Sequence, residues 1–223
     1  MKYVELEKHL MEISDKKFAD FSKSLSNSDY ISLGVKNPIL RALIKDHKND
    51  EELKLEDFKL GKYLEVDFIF FGLALSRAKT IDEQLDFIEQ NMKNGKSWVL
   101  TDCSQTYIKK CDFETFNKCF QKMRKSKFTY DRRFAYVFAI KFAKFPEILT
   151  LFDQISLNEE YMVMMAEAWF LATVAIYYPD AVYEYLKSNQ DIQLKRKTIS
   201  KINDSYRIAD SDKVRFKQLR SIE

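Results

Sequence analysis

Only two tryptophans occur in this chain of 223 residues, Trp98 and Trp169, and the side chains that could do chemistry are spaced around them. Trp98 is the second residue of the stretch SWVLTDCSQTY, and Asp102 follows it by four residues. On a helix that spacing puts an indole and a carboxylate on one face. Arg133 comes 31 residues after Asp102, and Trp169 comes 36 after Arg133. An indole face attracts a cation, a carboxylate opposes a developing positive charge, and a guanidinium grips phosphate. Each also has a structural reading: a Trp among apolar helical residues is normally core, Asp102 could pair with a nearby Lys or Arg, and Arg133 with Glu167 or Asp131. A scaffold that repeats with the same spacing would make them a site.

The sequence contains such a repeat. LALSRAKTIDEQLDFIEQN, AIKFAKFPEILTLFDQ and ATVAIYYPDAVYEYLKSN each run an apolar helix into a short break, an acidic residue and a second helix. The acids Asp82, Glu114, Glu147 and Asp180 are separated by 32, 33 and 33 residues. In the first turn of a helix a negative charge meets unpaired N–H groups and the positive end of the helix dipole. Pro146 and Pro179 stand just before two of them, where a missing N–H is tolerated. Apolar residues recur at three and four, as in Phe134, Val137 and Phe138, or Leu85, Ile88 and Met92. A single hairpin cannot bury its own apolar face, so neighbours must stack. The prediction is all-α: an α-solenoid of HEAT-like helical-hairpin repeats (an alpha-alpha superhelix) forming one domain over residues 1–223, equivalent helices presenting equivalent positions on a concave face. Upstream, residues 1–26 read as two helices and Asn37-Pro38 begins another; Gly34 and Gly61 are expected helix stops. Residues 194–203 and 212–221 read as two closing helices.

Composition agrees. With 4 Gly and 3 Pro there are too few turn-makers for a hairpin-rich sheet or a glycine phosphate loop. Cys103, Cys111 and Cys119 are odd in number and spaced by eight, which fits neither a zinc motif nor a disulfide framework. His9 and His47 are the only histidines, so no metal and no cofactor is expected. The charged N-terminus MKYVELEKHL and the lack of a membrane-length apolar run suggest the cytoplasm. The net charge of +3 conceals segregation: residues 91–145 hold thirteen Lys/Arg against four Asp/Glu, whereas 146–185 hold seven acids and no base. A charge block is commonly a solvated face. A basic face made by adjacent repeats would equally suit a polyanion, because each phosphate neutralised releases counterions.

In order and separation, GVKNPILRALIKD, SWVLTD, RRFAYVF, MAEAWFL and DSYRIADSDK resemble the DNA alkylation repair glycosylases built from HEAT-like repeats, often called AlkD-like. The resemblance covers most of the chain. It implies a metal-free DNA glycosylase, acting as a monomer on duplex DNA that carries alkylated bases. It would hydrolyse the N-glycosidic bond of positively charged N3- or N7-alkylated purines in base excision. Trp98 and Asp102 match the family's Trp-x-x-x-Asp, Arg133 its arginine and Trp169 its second tryptophan. By resemblance the indoles and the carboxylate surround the sugar of the damaged nucleotide, while Arg133, with Arg132 and Lys96, holds backbone phosphates. An alkylated purine is already a good leaving group, so its departure needs no strong acid. Asp102 would stabilise the oxocarbenium-like sugar and orient the attacking water.

Lys36-Asn37 and Glu65-Val66-Asp67 match the family's early basic and acidic positions loosely, and Glu159, Glu160 and Glu167 lie close in sequence to Trp169, where they would repel phosphates if they faced the cleft. A non-catalytic helical-repeat scaffold that binds DNA or a protein on its concave face is the alternative.

Overall fold

Acids and prolines placed by the repeat mark the helix starts. Asp82, Glu114 and Asp180 each lie in the first turn of a helix, and Pro179 opens one. The computed structural model describes residues 1–26, 28–156 and 159–221. The helices in chain order are α1 (Tyr3–Glu12), α2 (Lys16–Ser26), α3 (Asn37–His47), α4 (Leu64–Arg77), α5 (Ile81–Asn91), α6 (Trp98–Ser104), α7 (Phe113–Met123), α8 (Thr129–Ala139), α9 (Tyr161–Val174), α10 (Pro179–Ser188), α11 (Ile192–Asp204) and α12 (Asp210–Gln218). Among the described residues the chain is all-helical apart from loops and an isolated bridge between Ile31 and Tyr63. Among the described residues, no helix is long and apolar enough to cross a membrane. Contacts divide the chain into two compact units, residues 1–111 and 112–223.

In the first unit α4 is apolar on nearly every side, so it is central, with α3, α5 and α6 packed on it. Leu40 and Ile44 of α3, Ile69 and Leu73 of α4 and Ile88 of α5 are fully or almost fully buried, each such side chain stabilising the fold by about 1.5–3 kcal/mol. Gly72 lets α3 come close: a Cβ there would meet Ile44 Cδ1 at 2.3 Å. Two carboxylates in the first turn of α4 are buried but satisfied. Glu65 accepts from Ser32 Oγ and from the N–H groups of Leu33 and Gly34; Asp67 accepts from Tyr30 Oη at 2.6 Å and from Gly61 N–H. The acids thus tie the loops before α3 and α4 onto the core helix.

Gly34 and Gly61 are not helix stops. They are left-handed residues (φ +76° and +87°) inside the loops that lead into α3 and α4. At Gly34 the reason is space, since a Cβ would lie 2.0 Å from the carbonyl oxygen of Asp15, at the start of α2. Asp15 caps that helix, its carboxylate accepting from Lys17 and Phe18 N–H, and its own N–H donates to Leu33 O. Arg77, at the end of α4, gathers the loop after α3 by donating to the carbonyls of His47, Lys48, Asp50 and Leu53.

In the second unit α9 lies between α8 and α11, while α7 packs on α8 and α12 on α11. Aromatic rings fill the layer: Phe116 stacks on Phe142 at 4.2 Å and meets Phe138 edge-on at 5.3 Å. Asp112 and Asp191 cap α7 and α11 by accepting N–H bonds from Thr115 and Leu194. One predicted second helix takes a tighter form, a 3-10 helix over Pro146–Gln154. Its buried Ile148 and Leu151 are three apart, which lines them up on one side of a three-residue turn.

Candidate active site

Helix α6 is short and sorted by face. Ser97 starts it, its hydroxyl accepting from Val99 N–H at 3.2 Å. Leu100, Thr101, Cys103 and Ser104 are buried, whereas Trp98 and Asp102, one turn apart, are half-buried at the surface of the first unit. The indole is held: Trp98 Nε1–H donates to Leu25 O at 3.3 Å, in the last turn of α2. Carbonyls there have no partner within their own helix, so this bond satisfies one of them. The ring also lines a cavity of about 160 Å³ with Phe18, Phe21, Leu64 and Phe68.

The Asp102 carboxylate has a partner within its own helix. Thr101 Oγ lies 2.9 Å from Asp102 Oδ1 and 2.7 Å from Trp98 O. Burial pushes the adjacent Cys103 thiol up to about 11, with Asp102 adding to the effect and Arg41 opposing it, so this cysteine is a poor nucleophile at neutral pH. Lys96 is exposed on the loop entering α6 and borders a cavity of about 510 Å³ with Lys93, Asn91, Asn94, Asp67 and Phe71. Burial raises the Asp67 carboxyl; Tyr30, Gly61 N–H and the Lys96 charge pull it back.

The second unit places Arg132 and Arg133 on α8 and Trp169 on the adjacent α9. Arg133 is 6% exposed, and its Nη1 donates to Met162 O at 2.6 Å, tying the middle of α8 to the start of α9. Arg132 lies between Glu159 (3.3 Å) and Glu160 (2.8 Å) and donates to Ser126 O. Thr129 and Arg132 hold the Glu160 carboxyl below its usual range. Trp169 is half-buried between the buried Ala168 and Phe170.

The acids near Trp169 in sequence are therefore not a bare repulsive wall. Glu159 and Glu160 pair with Arg132, and Glu167 is 1% exposed with neither carboxyl oxygen hydrogen-bonded. Burial pushes the Glu167 carboxyl up to about 8, Glu159 and Asp191 add to this, and Tyr136 and Arg132 offset part of it. It is thus held neutral below that pH. Thr101 and the Leu25 carbonyl escaped the sequence reading, although Phe18, Phe21 and Leu25, spaced by three and four, do mark an apolar face on α2. Among the described residues, no three His, Cys, Asp or Glu gather as a metal cluster.

Comparison with known proteins now adds to this geometry. The family described as "DNA alkylation repair enzyme" matches residues 6–201. No curated protein matches the sequence. A solved structure, titled a predicted DNA alkylation repair enzyme from Enterococcus faecalis, shares the fold with a TM-score of 0.65 at 16% identity, over 83% of this chain and 94% of that one. The family match takes in Trp98, Asp102, Arg133 and Trp169: the chain belongs to the DNA alkylation repair enzyme family.

Proposed function

We propose that the chain is a DNA glycosylase hydrolysing the N-glycosidic bond of cationic N3- or N7-alkylated purines in duplex DNA. In this reading the C1′–N bond breaks first and its electron pair neutralises the purine. Asp102 then faces the positive charge left on the sugar with the Trp98 indole beside it, and Trp169 is proposed as a second aromatic residue of the reaction. Water adds to C1′ and gives up a proton to the Asp102 carboxylate and onward to solvent. The reaction uses no metal or cofactor, and the protein works as a single-domain monomer in the cytoplasm. Lys96, Arg132 and Arg133 are the proposed phosphate contacts. Arg132 would have to exchange Glu159 and Glu160 for phosphate, and Arg133 has little exposed surface to offer.

The observation that carries this reading is the sorting of α6: its four core-facing residues are buried, while the indole and carboxylate of the motif stay together at the surface, each held by a hydrogen bond. The internal engagement of both arginines favours the scaffold alternative, in which the chain binds DNA or a protein without chemistry. Incubation with methylated duplex DNA separates the two. Free 7-methylguanine or 3-methyladenine in the supernatant, identified by mass spectrometry, is the expected result; binding without release would favour the scaffold.

A further inference from the structure

We infer that Thr101 is a positioning residue for Asp102, its one hydroxyl serving both the charged and the neutral carboxyl that the proposed hydrolysis passes through. The inference rests on the glycosylase reading for its meaning and on α6 alone for its geometry. Thr101 is completely buried, yet its Oγ lies 2.7 Å from Trp98 O and 2.9 Å from Asp102 Oδ1. The first contact is ordinary, because helical threonines bond back to the carbonyl three or four residues earlier. The second is not. Residues i and i+1 on a helix do not face each other, so the Asp102 carboxylate has turned back towards its neighbour.

A threonine hydroxyl carries one proton and two lone pairs, and both Trp98 O and Asp102 Oδ1 are within its reach. When Asp102 is ionised, the proton goes to the carboxylate, since a hydrogen bond to a charged oxygen is about twice as strong as one to a carbonyl. When Asp102 has taken the proton of the attacking water on its second oxygen, Oδ1 is still an acceptor and keeps the hydrogen bond from Thr101. Each state then keeps an O–H···O bond at the same oxygen positions. The carboxyl therefore gains and loses its proton without swinging away from the sugar. Fixing Oδ1 also sets the direction of the second carboxyl oxygen.

Thr101→Val removes the hydroxyl and keeps the shape, whereas Thr101→Ser keeps the hydroxyl. Single-turnover release of 7-methylguanine from methylated duplex DNA should fall roughly 10- to 100-fold in kcat for Thr101→Val, with KM and melting temperature little changed, and recover in Thr101→Ser. Release by Thr101→Val at the wild-type rate, alongside a crippled Asp102→Asn, would overturn the inference and leave the glycosylase reading intact. If the wild type releases no base, that reading falls, and crystal structures of wild type and Thr101→Val decide the positioning. A carboxylate that keeps its side-chain torsions in the valine variant refutes it; one that swings away supports it.

Discussion

Glu167 is 1% exposed, and burial holds its carboxyl neutral on folding. Its carboxyl titrates at about 8 in the folded protein against an ordinary 4.5 in the unfolded chain. Between those values the folded state holds a proton that the unfolded state has lost. The stability from this group is therefore complete below about pH 4.5, drains as pH rises through about 8, and then levels off. Glu167→Gln, which mimics the neutral acid, should flatten that slope and stabilise the protein at pH 8 by on the order of a few kcal/mol. Thermal unfolding at pH 5, 6.5 and 8 checks it; parallel curves for both proteins would contradict the assignment. At this scale the motif residues were legible because type and spacing mark them. Thr101 and Glu167 were not, since their roles depend on which helix face is covered and on a carboxylate turning towards its neighbour.

At the scale of elements, caps and periodicity located the helices well: Asn37 begins α3 and Pro179 begins α10, as read from the sequence. The glycines were misjudged because their left-handed backbone serves a close approach, and closeness between distant segments leaves no local pattern. Gly34→Ala should cost about 2–4 kcal/mol, from a strained φ and a Cβ set against the Asp15 carbonyl. Because that contact seats the first turn of α2, hydrogen exchange in residues 15–25 should quicken more than elsewhere in the first unit. Uniform exchange would show that α2 is held by other means. Arg77→Ala, which strips four carbonyls of a donor, should destabilise by about 2–4 kcal/mol in urea unfolding.

At the scale of the whole molecule, the acidic period of 32 to 33 residues marks the all-helical order in the sequence itself. Charge segregation was equally visible, but which cations stand available was not: Arg132 is already paired with two glutamates, whereas Lys96 is exposed. DNA binding should weaken steeply with salt, and Lys96→Ala should lower the slope of log K against log[salt] by about 1. Arg132→Ala should lower the slope too, because the proposed exchange moves the arginine from Glu159 and Glu160 to phosphate; an unchanged slope would strike it from the proposed contacts. Equal losses from both variants would mean that the arginine leaves its glutamates for phosphate.

The central claim is that Asp102 acts on a sugar cation, and the rate of 7-methylguanine release under single turnover tests it most directly. Asp102→Asn is nearly isosteric and loses the charge, so its rate should fall by about 100-fold or more while DNA binding is retained. Equal rates for the two proteins would take the carboxylate out of the chemistry.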